Sequence, residues 1–176
     1  MRGTIVSISL TVFIMVFIFF MSSMSGEDSS RLSSFVVRNL EKFIPIFDSI
    51  EDPLIYQGAH ELLTWFVRKG AHFTEYALLG FFLASAFHTY ILPEDRNFLR
   101  LFRGFVFSLV IGFIYACTDE FHQSFVQGRA AMIFDVGFDS IGVFTGAILS
   151  TLIIARTKIK YITQDRQINQ HISTNP

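Results

Sequence analysis

Charge is scarce in this chain: Asp, Glu, Lys and Arg make up 16% of its 176 residues, against about 25% in soluble domains. That shortage argues against a water-solvated globular enzyme. Cysteine is almost missing, and Cys117, the single one, excludes an intramolecular disulfide. Its expected role is that of a small buried hydrophobe. No basic arm with interleaved stacking residues is present, and the net charge is -1, so nothing points to nucleic acid. No internal repeat or low-complexity tract stands out.

Apolar surface fills the space. Hydrophobic residues are 51% of the chain and Phe alone supplies 22 of them, a composition suited to lipid. The length suffices for one domain. Thr4 to Met24 is an uncharged run of about the twenty residues that span a bilayer's hydrocarbon core. A cleaved signal peptide is the alternative, but the run is longer than a usual apolar signal core, and no A-x-A-like site follows. Ala71 to Leu92, stopped by Pro93, is a second candidate span. Gly104 to Gln123 is a third and Ala130 to Ala155 a fourth.

Between the first two spans lies the long polar section of the chain, residues 25–68. Leu32, Phe35, Val36, Leu40, Phe43, Ile44 and Phe47 recur there at helical spacing. They predict an amphipathic helix lying in the membrane interface, with an ordinary surface helix packed on the bundle as the alternative. Pro45 and Pro53 interrupt the pattern, and Tyr56 to Phe66 reads as a separate helix with Trp65 at headgroup level. His60 has no evident partner, and His88 reads as packed or interfacial.

Orientation follows from Lys and Arg in short flanks. Arg2, the Arg96/Arg100/Arg103 loop and the tail with Arg156, Lys158, Lys160 and Arg166 fall on one side if four spans alternate. The expected fold is therefore an all-α integral membrane protein, a four-helix transmembrane bundle with both termini inside. Its parts are a first span (1–24), an outer loop (25–68), a three-span domain (69–155) and a basic cytoplasmic tail (156–176).

With that alternation, the ionisable residues gather at one outer level. Lys69, His72, Glu75 and Tyr76 share a face at spacings of three and four. Asp119 and His122 share another, with Glu120 and Gln123 adjoining. Arg129 follows in a turn, and Asp135, Asp139, Gly142 and Gly146 form one stripe. The two glycines admit a close neighbouring backbone, which turns the acidic stripe inward. At 1.5 Å rise per residue Asp139 lies roughly 6 Å deeper than Asp135, so the site is expected to be a funnel open to the outside.

Charged groups in hydrocarbon persist when paired, neutralised or facing a polar cavity. Glu75, Asp119, Glu120, Asp135 and Asp139 stand against Lys69 and Arg129 as fixed cations, with two histidines able to add charge. Glu75, Asp119, Glu120 and His122 are candidates for acid–base work. Lys69 and Arg129 suit a phosphate or pyrophosphate headgroup. A metal can in principle take His72, Glu75, His122 and a carboxylate, but no compact H-E-x-x-H-like motif is present, and neither metal nor cofactor is assigned. Ion pairs that merely hold the bundle are the plain alternative; the number of converging groups favours a site.

RKGAHFTEYALLG (68–80), DEFHQSFVQGR (119–129) and DVGFDSIGVFTG (135–146) resemble the VanZ family, over roughly residues 65–155. Lys69, His72, Glu75, Tyr76, Asp119, Glu120, His122, Gln123, Arg129, Asp135, Gly142 and Gly146 match its pattern. Gln127 stands where a proline usually precedes the glycine, and Asp139 where asparagine is usual. The resemblance implies a multi-pass protein of the bacterial plasma membrane, associated with reduced action of teicoplanin-type glycopeptides. It supplies no reaction. The expected ligand is a lipid-linked cell-wall precursor or a glycopeptide-related molecule. An intramembrane hydrolase or transferase acting on lipid headgroups and an ion-coupled transporter are the alternatives.

Overall fold

The computed structural model describes the backbone of residues 2–90 and 97–174, with side chains over 5–88 and 99–157. These residues form five α-helices: α1 (Arg2–Ser22), α2 (Gly26–Glu41), α3 (Pro53–Tyr90), α4 (Asn97–Gln123) and α5 (Ile133–Thr174), with a 3-10 turn at Pro45–Ser49 and no strand. Within them Ile5–Ser22, Leu99–Gln123 and Ile133–Thr157 are long and apolar enough to cross a membrane.

The expected second span falls in α3, with its last two residues, Ile91 and Leu92, outside the described ones. Its described part is more polar than these three candidate spans and is not among them, because it carries His72, Glu75 and His88. The packing accounts for this. α3 touches each of α1, α2, α4 and α5, and it buries Tyr76, Leu79, Leu83 and Ala84. A helix enclosed by its neighbours has little lipid to satisfy, so it can carry polar side chains toward the protein interior.

Tyr56 to Phe66 is not a separate helix. α3 runs unbroken for 38 residues, roughly 57 Å, about twice the hydrocarbon thickness. Pro53 opens it, as proline suits a first turn, and the Asp52 carboxylate accepts the Leu54 N–H at 2.8 Å. Gly70 does not break it, because one helical glycine costs only about 1 kcal/mol.

α3 and α5 cross at backbone contact. A side chain at Gly142 would meet the Phe73 carbonyl, one at Gly146 the Ala77 carbonyl, and one at Gly80 the backbone of Val143. Small residues on both helices therefore form one seam, and in this chain the Gly142–Gly146 pair is used within the bundle. Ile14, Ile18, Tyr76, Leu79, Leu83, Ala116 and Val143 form the core around it. At the opposite end His88 is buried. Its Nε2 lies 2.8 Å from Thr151 Oγ1, and Arg100 donates to its carbonyl at 2.5 Å. Pro93 and Arg96 lie outside the described residues.

The chain's one thiol departs from expectation. Cys117 is exposed, in line with Phe113 and Phe121 on an apolar groove between α4 and α5. At spacings of four these residues share the outward face of α4.

α2 starts at Ser25, whose Oγ accepts the Asp28 N–H at 3.1 Å as an N-cap. It turns a narrow strip inward, burying Ser33, Val37 and Glu41. The apolar stripe stays uncovered, with Phe35 61% and Phe43 83% exposed. Glu41 is instead the joint to α3. The Tyr56 hydroxyl donates to it at 3.1 Å, and His60 Nδ1 lies 2.7 Å from its other oxygen. His60 thus has a partner that the sequence did not reveal. The hydrogen bond to Glu41 holds the Tyr56 phenol above the ordinary tyrosine range, with burial and the carboxylate's charge adding to it. Glu41→Ala is expected to free the end of α2. Hydrogen exchange over residues 37–41 should rise about tenfold; unchanged protection there would show that the clasp contributes nothing.

Candidate functional site

The last turns of α1 and α4, the start of α5 and the middle of α3 meet at one end of the bundle. Asp119 is the centre of this meeting and is 4% exposed. Ser22, the last residue of α1, donates to its Oδ2 at 2.9 Å. Gln123, one turn along α4, donates to the same oxygen at 3.0 Å. The Gln123 carbonyl in turn accepts from Arg129 Nη1 at 3.2 Å.

Among the described residues Arg129 pairs with no carboxylate. Its Nε and Nη2 donate to the carbonyls of Met24 and Met21, each at 3.2 Å, in the turn that ends α1, where the Met24 N–H also donates to the Met21 carbonyl. Burial, with Arg68 nearby, draws the guanidinium below its ordinary value. The turn that carries Arg129 is fixed by Gly128, at φ 74°, and by Gly26, whose N–H donates to the Gln127 carbonyl at 2.9 Å. A side chain on Gly26 would strike the Gly128 backbone, so the two glycines let the start of α2 lie directly on the turn.

The other expected residues divide into groups. Lys69 and Asp135 form a half-buried ion pair between α3 and α5. Glu120 accepts the Met132 N–H at 3.0 Å, so it anchors the entry to α5. His122 stacks on Phe19 at 4.7 Å between centroids, and its Nε2 lies 3.1 Å from Ser23 Oγ. The His/carboxylate pair thus does not form at His122. It is His72 that faces a carboxylate, with Nδ1 3.9 Å from Asp139 Oδ1. His72, Asp119 and Asp139 place ligand atoms within 4.8 Å of one another.

Depth follows the helical register. The Asp135 side chain is 23% exposed and that of Asp139 2%. Above them a pocket of about 400 Å³ is lined by Arg68, Lys69, Arg129 and Asp135 with Trp65 at its rim. A smaller cavity of about 130 Å³ shares Arg68 and Arg129 with it and includes His72 and Glu75 in its lining. Three cationic side chains therefore line this pocket together with the carboxylates Glu61 and Asp135.

Arg68, Ser22 and Ser23 belong to this end of the bundle and were not legible as such. Arg68 reads as the last residue of a polar loop. The serines read as the finish of an apolar run, since nothing in α1 marks which of its faces meets Asp119.

A protein-family model described as VanZ/LLP1 matches residues 7–154. The match begins inside α1 and takes in α2, well before the motif-bearing part of the chain. No curated protein and no solved structure matches the chain significantly.

Proposed function

Since the chain belongs to the VanZ/LLP1 family, we propose that it is a multi-pass cell-envelope protein of the bacterial plasma membrane whose polar end faces outward and engages an anionic, lipid-linked or peptidoglycan-related ligand. Engagement lowers glycopeptide access. In this reading α1, α3, α4 and α5 are the four spans, with both termini inside. The apolar stripe of α2 rests in the outer interface, where aromatic and aliphatic side chains favour the acyl boundary.

One observation carries the proposal: Arg68, Lys69 and Arg129 converge on a pocket at the polar end of the bundle. Guanidinium and ammonium groups grip phosphate or carboxylate oxygens by charge-assisted hydrogen bonds. Arg68 is in no ion pair among the described residues, Lys69 and Arg129 add the donors their present partners leave over, and Glu61 in the same lining can accept from ligand hydroxyls. Asp119 positions Arg129 through Gln123, and Glu75 lines the adjoining cavity with Arg68 and Arg129. Loss of one cationic contact, as in Arg68→Gln, is expected to weaken ligand engagement about 10- to 100-fold, the effect of about 1.5–3 kcal/mol for a hydrogen bond to a charged group.

The test is expression in a glycopeptide-susceptible host. Cells carrying the native chain should need more teicoplanin for inhibition than cells carrying Glu75→Gln or Asp119→Asn at equal membrane levels. Equal susceptibility in native, variant and empty-vector cells would sink the proposal.

A further inference from the structure

We infer that His72, Asp119 and Asp139 form a binding site for one divalent transition cation of the zinc type, below the anion-facing pocket. The inference stands on its own geometry, whether or not the chain alters glycopeptide susceptibility. Three helices supply the ligands: α3 gives His72, α4 Asp119 and α5 Asp139.

The separations favour a shared ion over direct bonding. His72 Nδ1 and Asp139 Oδ1 are 3.9 Å apart, beyond a hydrogen bond. Two ligands on a tetrahedral zinc with bonds of about 2.0–2.2 Å lie roughly 3.3–3.6 Å from each other. All three donor atoms lie within 4.8 Å of one another. Contraction by about 1 Å, within reach of side-chain rotation, completes a coordination triangle.

Two buried atoms point to something that belongs between these groups. Asp139 is 1% exposed, and its Oδ2 has no hydrogen-bond partner. The Tyr76 hydroxyl, on a side chain with no exposure, lies beside Asp119 and Asp139 without a well-formed hydrogen bond. Buried polar atoms left unsatisfied are costly, and each calls for an explanation. A cation would occupy the Asp139 oxygen directly. The charge balance agrees. Lys69 is taken by Asp135 and Arg129 by carbonyl oxygens, so among the described residues no ammonium or guanidinium forms an ion pair with Asp119 or Asp139.

Asp119 is also held as metal ligands are held. Ser22 and Gln123 both donate to Oδ2, which fixes the carboxylate plane and keeps a second oxygen to offer. One imidazole with carboxylates is a nitrogen–oxygen set, suited to zinc or manganese and poorly suited to Cu(I). The adjoining cavity, lined by His72 and Glu75, gives a fourth ligand or a water room to enter.

The experiment uses tag-free full-length protein in detergent, stripped with chelator, dialysed against Zn²⁺ and counted by mass spectrometry. Competition with a chromophoric chelator gives the affinity. One zinc per chain is expected. His72→Ala and Asp139→Asn should each weaken binding at least about 100-fold, and Ser22→Ala about tenfold. Glu27→Gln, on the exposed face of α2, should bind as the native chain does. Melting of the metal-free proteins separates lost ligation from lost folding, since Asp139→Asn should melt near the native chain yet gain no zinc-dependent rise. If His72→Ala does not fold, His72→Gln takes its place. Native protein that retains no stoichiometric zinc, or either ligand variant holding zinc as tightly as the native chain, overturns the inference.

Discussion

Gly146→Val is expected to remove most of the folded protein. At this position α5 lies against the Ala77 carbonyl and the Phe81 N–H of α3, with no void for a β-carbon. The obstacle is backbone, so no rotamer change relieves it. Overpacking a core typically costs about 1–3 kcal/mol, and more when main chains must separate. Displacing α5 here would also open the Gly142 and Gly80 contacts along the same seam. We expect about 3 kcal/mol or more, enough to cancel much of a typical domain's stability. Gly137→Ala is the matched control, because nothing lies near the β-carbon it would add. Fluorescence-detected size-exclusion after graded heating measures both, and a Gly146→Val protein with a native melting point would refute the close-packed seam.

Arg129→Met comes second. The substitution keeps the stem and removes donors that satisfy the Met21 and Met24 carbonyls and the Gln123 side chain. It also strips the positive charge from the C-terminal end of α1, where a cation complements the helix dipole. Loss of charged hydrogen bonds at a half-buried site should cost about 2–4 kcal/mol. Arg129→Lys is expected to recover less than half of this, because one ammonium cannot reproduce the planar spread of a guanidinium over three acceptors. Limited proteolysis at residues 23–26 and 124–129 reads the effect. Cleavage there should rise steeply in Arg129→Met, partly in Arg129→Lys, and not at all in Glu27→Gln. Full rescue by lysine would mean that charge alone, not geometry, holds the turn.

The apolar runs revealed α1, α4 and α5 because their solvent is lipid and their composition records it. α3 was harder to delimit. Its first half is mostly exposed and its second half mostly packed, so the hydropathy changes at Lys69 and Gly70 while the helix does not. The convergence of His72, Asp119, Asp139 and Arg129 was legible from alternation and helical register. The partners were not. Arg129 was expected among carboxylates and takes carbonyls, and Glu120 was expected in the site and anchors α5. Those choices depend on where helix ends leave unpaired backbone groups, which residue type alone does not disclose. Cys117 was expected inside and lies outside, because a thiol is compatible with lipid as well as with a core. The glycine pair predicted a close crossing without naming its partner, which is α3.

The backbone contact between α3 and α5 gives the polar end two walls of different stiffness. On the Gly80–Gly142–Gly146 side the helices interlock main chain to main chain, and their spacing has no adjustable component. On the other side α1 and α4 have much less contact and are joined through Ser22, Ser23, Gln123 and Arg129, links that water or a ligand can exchange bond for bond. The chamber thus has one wall where main chain meets main chain, bearing His72 and Asp139, and another, bearing Asp119, that is stitched to α1 by side chains.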